Sequence, residues 1–293
     1  MGDGHPECPR RLSAIEDALI SRGIFDFVKH IDAPKIDRHS LRLAHKAHYI
    51  DTLISQIPGT GYHNIDHDTR LCPDSLEAAY YSAGAGIRAV DGIMAGEFDN
   101  AFCAVRPPGH HAEKITSMGF CFFNNAAITA LYAIKRYKLR RVVVIDFDAH
   151  HGNGTENILG GRFFVRYWSS YQKGLFPFRD ENKKPKRNIS LHPLNAGAGS
   201  DEFRALVGIN LIPWLNRYKP QLIILSSGFD AHKDDYMSQL NLTDEDFRWV
   251  IEKINDTAKR VCDGRIVSIL EGGYNLPALG RCCADQVKIL ADL

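Results

Sequence analysis

The chain predicts an α/β fold: a mostly parallel sheet wound on both faces by helices, in three αβα layers. Three observations predict it. The runs Val142–Ile145, Leu222–Leu225 and Ile266–Leu270 carry no charge and read as strands buried on both faces. Segments with apolar residues at helical spacing lie between the runs. Each run stops abruptly at polar, chemistry-bearing residues, the pattern of ligands gathered at the carboxyl edge of an open sheet.

Arg10 to Arg22 has helical spacing and stops at Gly23. Leu43 to Ile54 reads as a second helix, with His39, His45 and His48 near it on a helix surface, poor candidates for ligands. Gly59 to Asp68 is rich in turn formers and carries His63, Asp66, His67 and Asp68. It reads as a rim loop over a site rather than a second metal patch. Ser75 to Met94 is a helix of small residues suited to close packing.

Ala101 to Val105 is a short strand delivering Arg106-Pro107-Pro108-Gly109-His110-His111. Proline fixes φ, so the tandem histidines sit in a rigid turn. A helix starts near Asn125. The strand at Val142 ends in Asp146-Phe147-Asp148-Ala149-His150-His151, and Gly152 and Gly154 permit the tight turn that follows. In extended chain Asp146, Asp148 and His150 face one way, Phe147 and Ala149 the other. Ile189 to Gly199 leads to a helix over Glu202–Arg217. Leu222–Leu225 delivers Ser226 to Asp230, with His232 further out and unassigned. Thr243, with Asp246 three residues on, caps a further helix. Ile266–Leu270 delivers Glu271-Gly272-Gly273-Tyr274, and two glycines let the phenol swing over a pocket.

Bulk properties narrow the function. At 293 residues, with 44% hydrophobic and 24% charged, the chain is an ordinary globular protein with no linker, repeat or low-complexity run, hence one domain. A net charge of +1 marks no nucleic-acid surface, and the basic cluster Lys183–Arg187 reads as a solvated loop. Seven cysteines without a C-x-x-C pair argue against a disulfide framework or a cysteine zinc site, and suit a reducing cytoplasm. Neither a signal peptide nor an apolar run of about 18 residues is present, so no membrane partner is expected. Two carboxylates and two imidazoles at the end of a buried strand are costly to desolvate unless paired, and a metal cation is their simplest partner.

The stretch D-F-D-A-H-H-G-N-G-T (Asp146–Thr155) resembles the metal-binding signature of the histone deacetylase and acetylpolyamine amidohydrolase family. Five more motifs resemble the family's, in its order: H-P-E-C-P-R-R-L from His5, R-P-P-G-H-H-A-E from Arg106, M-G-F-C-F-F-N-N from Met118, S-S-G-F-D-A-H from Ser226 and E-G-G-Y-N from Glu271. Asn153, Glu113 and the pair Phe229-Asp230 resemble the class II-like and bacterial branch.

The resemblance implies the arginase–deacetylase fold, with a central, mostly parallel sheet of about eight strands, as a single deacetylase domain over 1–293. The family's first strand precedes the H-P-E motif, which here begins at His5, so that strand is expected to be missing. His5, Glu7 and Arg10 are read either as rim residues or as the start of a helix.

By the same resemblance, one zinc ion per chain sits on Asp148, His150 and Asp230, three ligands with an open position as in catalytic rather than structural sites. Iron(II) or cobalt also suit this set. His111 is the general base and then acid. His110 is its electrostatic partner, hydrogen-bonded to Asp146, and Tyr274 donates to the oxyanion. Asn153 stands behind His111 where class I relatives have Asp. An amide favours the imidazolium less than a carboxylate does, so His111 is expected to be the less basic ring. Gly119, Phe120, Phe176 and Gly273 line a narrow substrate channel. A structural K+ is expected behind the zinc, on carbonyls of Asp146, Asp148 and His150 plus Ser169.

The implied activity is zinc-dependent removal of acetyl groups, from acetyl-lysine in proteins or from an acetylated polyamine, releasing acetate. Two alternatives remain at this point: a ureohydrolase of the same fold, which needs two metals, and a non-catalytic acyl-lysine or polyamine binding module. Rim loops choose the substrate, and oligomerisation is open.

Overall fold

The computed structural model describes residues 1–2 and 4–293. A short antiparallel ribbon, β1 (His63–Asn64) with β2 (Arg70–Leu71), stands apart from a parallel sheet of six strands. These are β3 (Asn100–Cys103), β4 (Val142–Asp146), β5 (Val165–Gln172), β6 (Ile189–Leu194), β7 (Leu222–Ser227) and β8 (Ile266–Leu270), in the order β3-β8-β7-β4-β5-β6. The main sheet thus has six strands among the described residues, not about eight. In the loop of the ribbon Asp66 Oδ1 accepts from the amides of Asp68 and Thr69 and closes a local turn.

Alternation within the strands sorts their side chains between two cores. Val142 and Val144 of β4, Leu222 and Ile224 of β7, and Val267 and Ile269 of β8 join one. That core is covered by α2 (Arg38–Leu41), α3 (Ala47–Ser55), α4 (Ser75–Ala95), α5 (Asn125–Tyr137) and α6 (Asn153–Leu159). Val143, Ile145, Ile223, Leu225, Ile266 and Leu270 join the other. It is covered by α1 (Arg10–Ser21), α7 (Ser200–Leu206), α8 (Ile212–Tyr218), α9 (Asp244–Cys262) and α10 (Leu276–Leu290). Burying both faces is why the strands read as unbroken apolar runs.

Local chemistry sets the helix ends. Thr243 and Asp246 form the expected capping box at α9, and Asn124 caps α5 by accepting from Ala127 N–H at 2.9 Å. Small residues let α4 approach α5 closely: a Cβ on Gly86 would overlap the Thr129 side chain. The helix expected over Glu202–Arg217 is instead α7 and α8 joined by a wide turn at Val207–Leu211. Pro213, at the start of α8, has no N–H to continue the α-helical ladder. The helix expected from Leu43 starts at Ala47. The preceding His45 is buried rather than on a helix surface. Its Nδ1 donates to the Glu113 carbonyl and its Nε2 accepts from Asn124 N–H, both at 2.9 Å.

Candidate active site

Four neighbouring strands deliver the site. β3, β8, β7 and β4 lie side by side, and the segments after their carboxyl ends carry His110–His111, Glu271–Tyr274, Asp230 and Asp146–His150 respectively. The strand pattern does not continue past Asp146. Asp146 Oδ1 accepts from Asp148 N–H at 3.2 Å and Asp148 Oδ1 from His150 N–H at 2.8 Å, so the chain coils through successive turns. The Asp146 and Asp148 carboxylates both approach His110, at 3.1 Å from Nδ1 and 3.9 Å from Nε2. Phe147 and Ala149 do go into the core.

Asp148, His150 and Asp230 converge, each buried, with one ligand atom apiece within 4.8 Å of the others. His150 Nδ1 lies 2.7 Å from Asp230 Oδ2 and 3.2 Å from Asp148 Oδ1. Two strand-end glycines make room: a Cβ on Gly228 would overlap the Asp148 carboxylate, and one on Gly272 would crowd both carboxylates. Asp148 Oδ2 accepts from Gly272 N–H at 2.9 Å and Asp230 Oδ1 from Ala149 N–H at 2.9 Å. Burial, with Asp148 alongside, pushes the Asp230 carboxyl up to about 7. Two carboxylates so crowded call for a cation, and one nitrogen with two oxygens suits a divalent metal ion. The residues therefore fit the divalent metal.

The histidine pair lies beside this cluster. His110 Nδ1 donates to Asp146 Oδ2 at 3.1 Å, and the same oxygen accepts from Tyr167 OH at 2.8 Å. Burial alone would discharge His110, but Asp148, Asp146 and Glu271 outweigh it and hold the ring up to about 10. His111 Nδ1 donates to Asn153 Oδ1 at 2.8 Å. Burial pushes His111 well below its ordinary value, and the charged His110 and His150 add to the effect.

Phe176 stands edge-on to His111 at 5.0 Å, and Phe120 edge-on to Tyr274 at 5.9 Å. Gly119 has a φ of +55°, and a Cβ there would overlap the His111 ring. Gly273, with φ +119°, turns the chain ahead of Tyr274. Ser169 pairs with Asp146 across β4 and β5, and its buried Oγ has no hydrogen-bond partner among the described residues.

Several residues that position this site carry no local signal. Arg11, not the exposed Arg10, is the buried arginine of the first motif. Its Nε donates to the Gly273 carbonyl at 2.8 Å and its guanidinium lies over the Tyr274 ring. The Glu7 carboxylate accepts two hydrogen bonds from Arg106, and His5 packs edge-on against Phe120 at 4.6 Å. Glu271 Oε2 accepts from Gly109 and His110 N–H, locking the histidine turn to β8. Asp235 Oδ2 accepts from the amides of Tyr274 and Asn275. Glu7, Arg11 and Glu271 lie inside motifs, whereas Asp235 lies outside all of them.

Other ligand-type residues lie outside this cluster. His151 Nε2 pairs with Glu156 at 2.7 Å. His232 Nδ1 accepts from Asp234 N–H at 3.1 Å, which leaves its proton on Nε2, facing Asp244 at 3.2 Å. Asp66 is occupied by its own turn.

A triad able to hold a metal ion, an imidazole pair and a phenol meet at the carboxyl edge of the parallel sheet, the layout of a hydrolase of the arginase–deacetylase fold. The family description Histone deacetylase domain matches residues 5–290. A Histone deacetylase-like amidohydrolase from Pseudomonas aeruginosa is 36% identical over 97% of this chain and 77% of its own length. Polyamine deacetylase HDAC10 of Mus musculus is 31% identical over 97% of this chain and 44% of its own length. The crystal structure of the HDA15 HD domain aligns with a TM-score of 0.90 at 29% identity, covering 99% of this chain and 86% of that one. The chain belongs to the histone deacetylase family and is a deacetylase-type amidohydrolase. Among the described residues, no helix is long and apolar enough to cross a membrane.

Proposed function

We propose that this chain, as one deacetylase domain, uses a single zinc ion on Asp148, His150 and Asp230 to remove acetyl groups from amines. The observation that carries the reading is the convergence of that triad beside two imidazoles with opposite proton affinities. Bound there, the ion supplies Lewis acidity, polarising the amide carbonyl and acidifying water.

The chain's own residues do the rest. His111 carries its proton on Nδ1, toward Asn153, and keeps Nε2 bare. A ring neutral near pH 7 is free to take the attacking water's proton and pass it to the leaving amine. His110, held charged by Asp146, supplies positive potential beside it. The Tyr274 phenol, also pushed up by burial and so kept protonated, donates to the oxyanion. Phe120 and Phe176, with Gly119 and Gly273, admit a thin alkyl stem such as that of acetyl-lysine or an acetylated polyamine. The unpartnered Ser169 Oγ supports a K+ ion behind the triad. Seven unpaired thiols suit a cytoplasmic location.

Tyr274→Phe tests the mechanism. It should slow deacetylation of an acetyl-lysine reporter by about 10² to 10³; an unchanged rate would discard it. Comparing kcat/KM on an acetyl-lysine peptide and on acetylputrescine assigns the substrate class.

A further inference from the structure

We propose that Glu113 is a positioning residue for proton transfer: its carboxylate holds the Asn153 side-chain amide in the one orientation that keeps the His111 proton on Nδ1. This rests on the reading of His111 as the proton carrier.

A side-chain amide has two orientations of nearly the same shape that exchange its donor and its acceptor. Around Asn153, one end meets His111: Oδ1 accepts from Nδ1 at 2.8 Å. The other end, Nδ2, faces Glu113 Oε1 at 2.8 Å, Met118 Sδ at 3.1 Å and the His111 carbonyl at 3.4 Å. A carboxylate, a thioether and a carbonyl only accept. Turning the amide over would press its oxygen against all three and aim its NH2 at His111 Nδ1. His111 would then have to accept at Nδ1, and its proton would move to Nε2, the nitrogen that must be bare to act as a base.

Of the three acceptors only Glu113 is charged, and a charge-assisted bond is the strongest of them. Glu113 is itself anchored: its N–H donates to the Thr116 carbonyl at 2.8 Å, and its carbonyl accepts from buried His45 Nδ1. A carboxylate behind His111 would need no such keeper, because its two oxygens are equivalent. The amide needs one.

That asymmetry supplies the test, on the metal-loaded enzyme with an acetyl-lysine reporter. Glu113→Ala should lower kcat by about 10- to 100-fold, the usual range for a residue that orients another, with KM little changed. Glu113→Gln should recover most of the rate, because its amide oxygen accepts the same bond. In an Asn153→Asp background, Glu113→Ala should cost nothing, since no orientation remains to hold and a like charge is removed. Nitrogen-15 shifts of His111 read the tautomer directly: Nδ1-protonated in wild type and Glu113→Gln, moved toward Nε2 in Glu113→Ala. An equal loss in both backgrounds with an unchanged tautomer, or no loss in either, overturns the proposal. The underlying reading fails separately, if His111→Ala keeps the wild-type rate.

Discussion

His110 and His111 are adjacent in the chain, both buried, with ring centroids 4.0 Å apart. Their proton affinities nevertheless diverge: His110 is held up to about 10 and His111 is pushed well below its ordinary value. Burial acts on both rings in the same sense, so it does not account for the difference. The partners do. His110 faces carboxylates, Asp146 directly and Asp148 at 3.9 Å, whereas His111 faces a neutral amide. Charge on the partner outweighs desolvation, and a neutral hydrogen bond does not. His45 extends the comparison. It is buried with only backbone partners, and burial lowers it to about 4.

The largest expected effect lies on the His111 side. His111→Ala should remove the proton carrier and lower kcat by about 10² to 10⁴ on an acetyl-lysine reporter. If the loss falls on His110→Ala instead, the two roles are exchanged. A smaller effect is expected when the carboxylate of the His110 side is neutralised. Asp146→Asn should cost about 10- to 100-fold in kcat, since it leaves the ring oriented but weakens its charge. No loss at saturating zinc would mean that Asp148 and Glu271 charge His110 unaided.

The smallest effect on rate belongs to His45, which is expected to show in stability alone. Its folded-state proton affinity is below that of the unfolded chain. Unfolded His45 therefore takes up a proton as pH falls past 6.5, while the folded form resists until about 4. Its contribution is complete above pH 6.5 and declines by about 3 kcal/mol on going to pH 4. The unfolding free energy of wild type minus that of His45→Gln should shrink by that amount between pH 7 and pH 4. A difference independent of pH would show that His45 is not buried neutral.

How far this comparison was legible beforehand differs between its two halves. The neighbours along the chain were legible, because strand periodicity and abrupt apolar-to-polar boundaries are local. Ile266–Leu270 has the same bounds in the sequence reading and in β8. The Asn153 amide behind His111 was also expected, because two of the family's motifs carry them. Arg11, Tyr167, Asp235 and Glu271 were not, although each touches the site or its supports. Arg11 and the Gly273 carbonyl it binds are 262 positions apart, and no periodicity links them. The extended chain assumed past Asp146 is also absent, because side-chain acceptors competing for local amides end the strand there.

Read as a string, the chain established a parallel α/β sheet, the strand ends that carry chemistry and the residue types able to hold a divalent metal. These follow from side-chain hydrophobicity and backbone propensity, which act over a few residues. How far the two imidazoles are driven apart, which way an amide points and which carboxylates crowd together emerged only once β3, β8, β7 and β4 lay side by side. Electrostatics and hydrogen bonding depend on distance in space, and the folded sheet is what sets those distances.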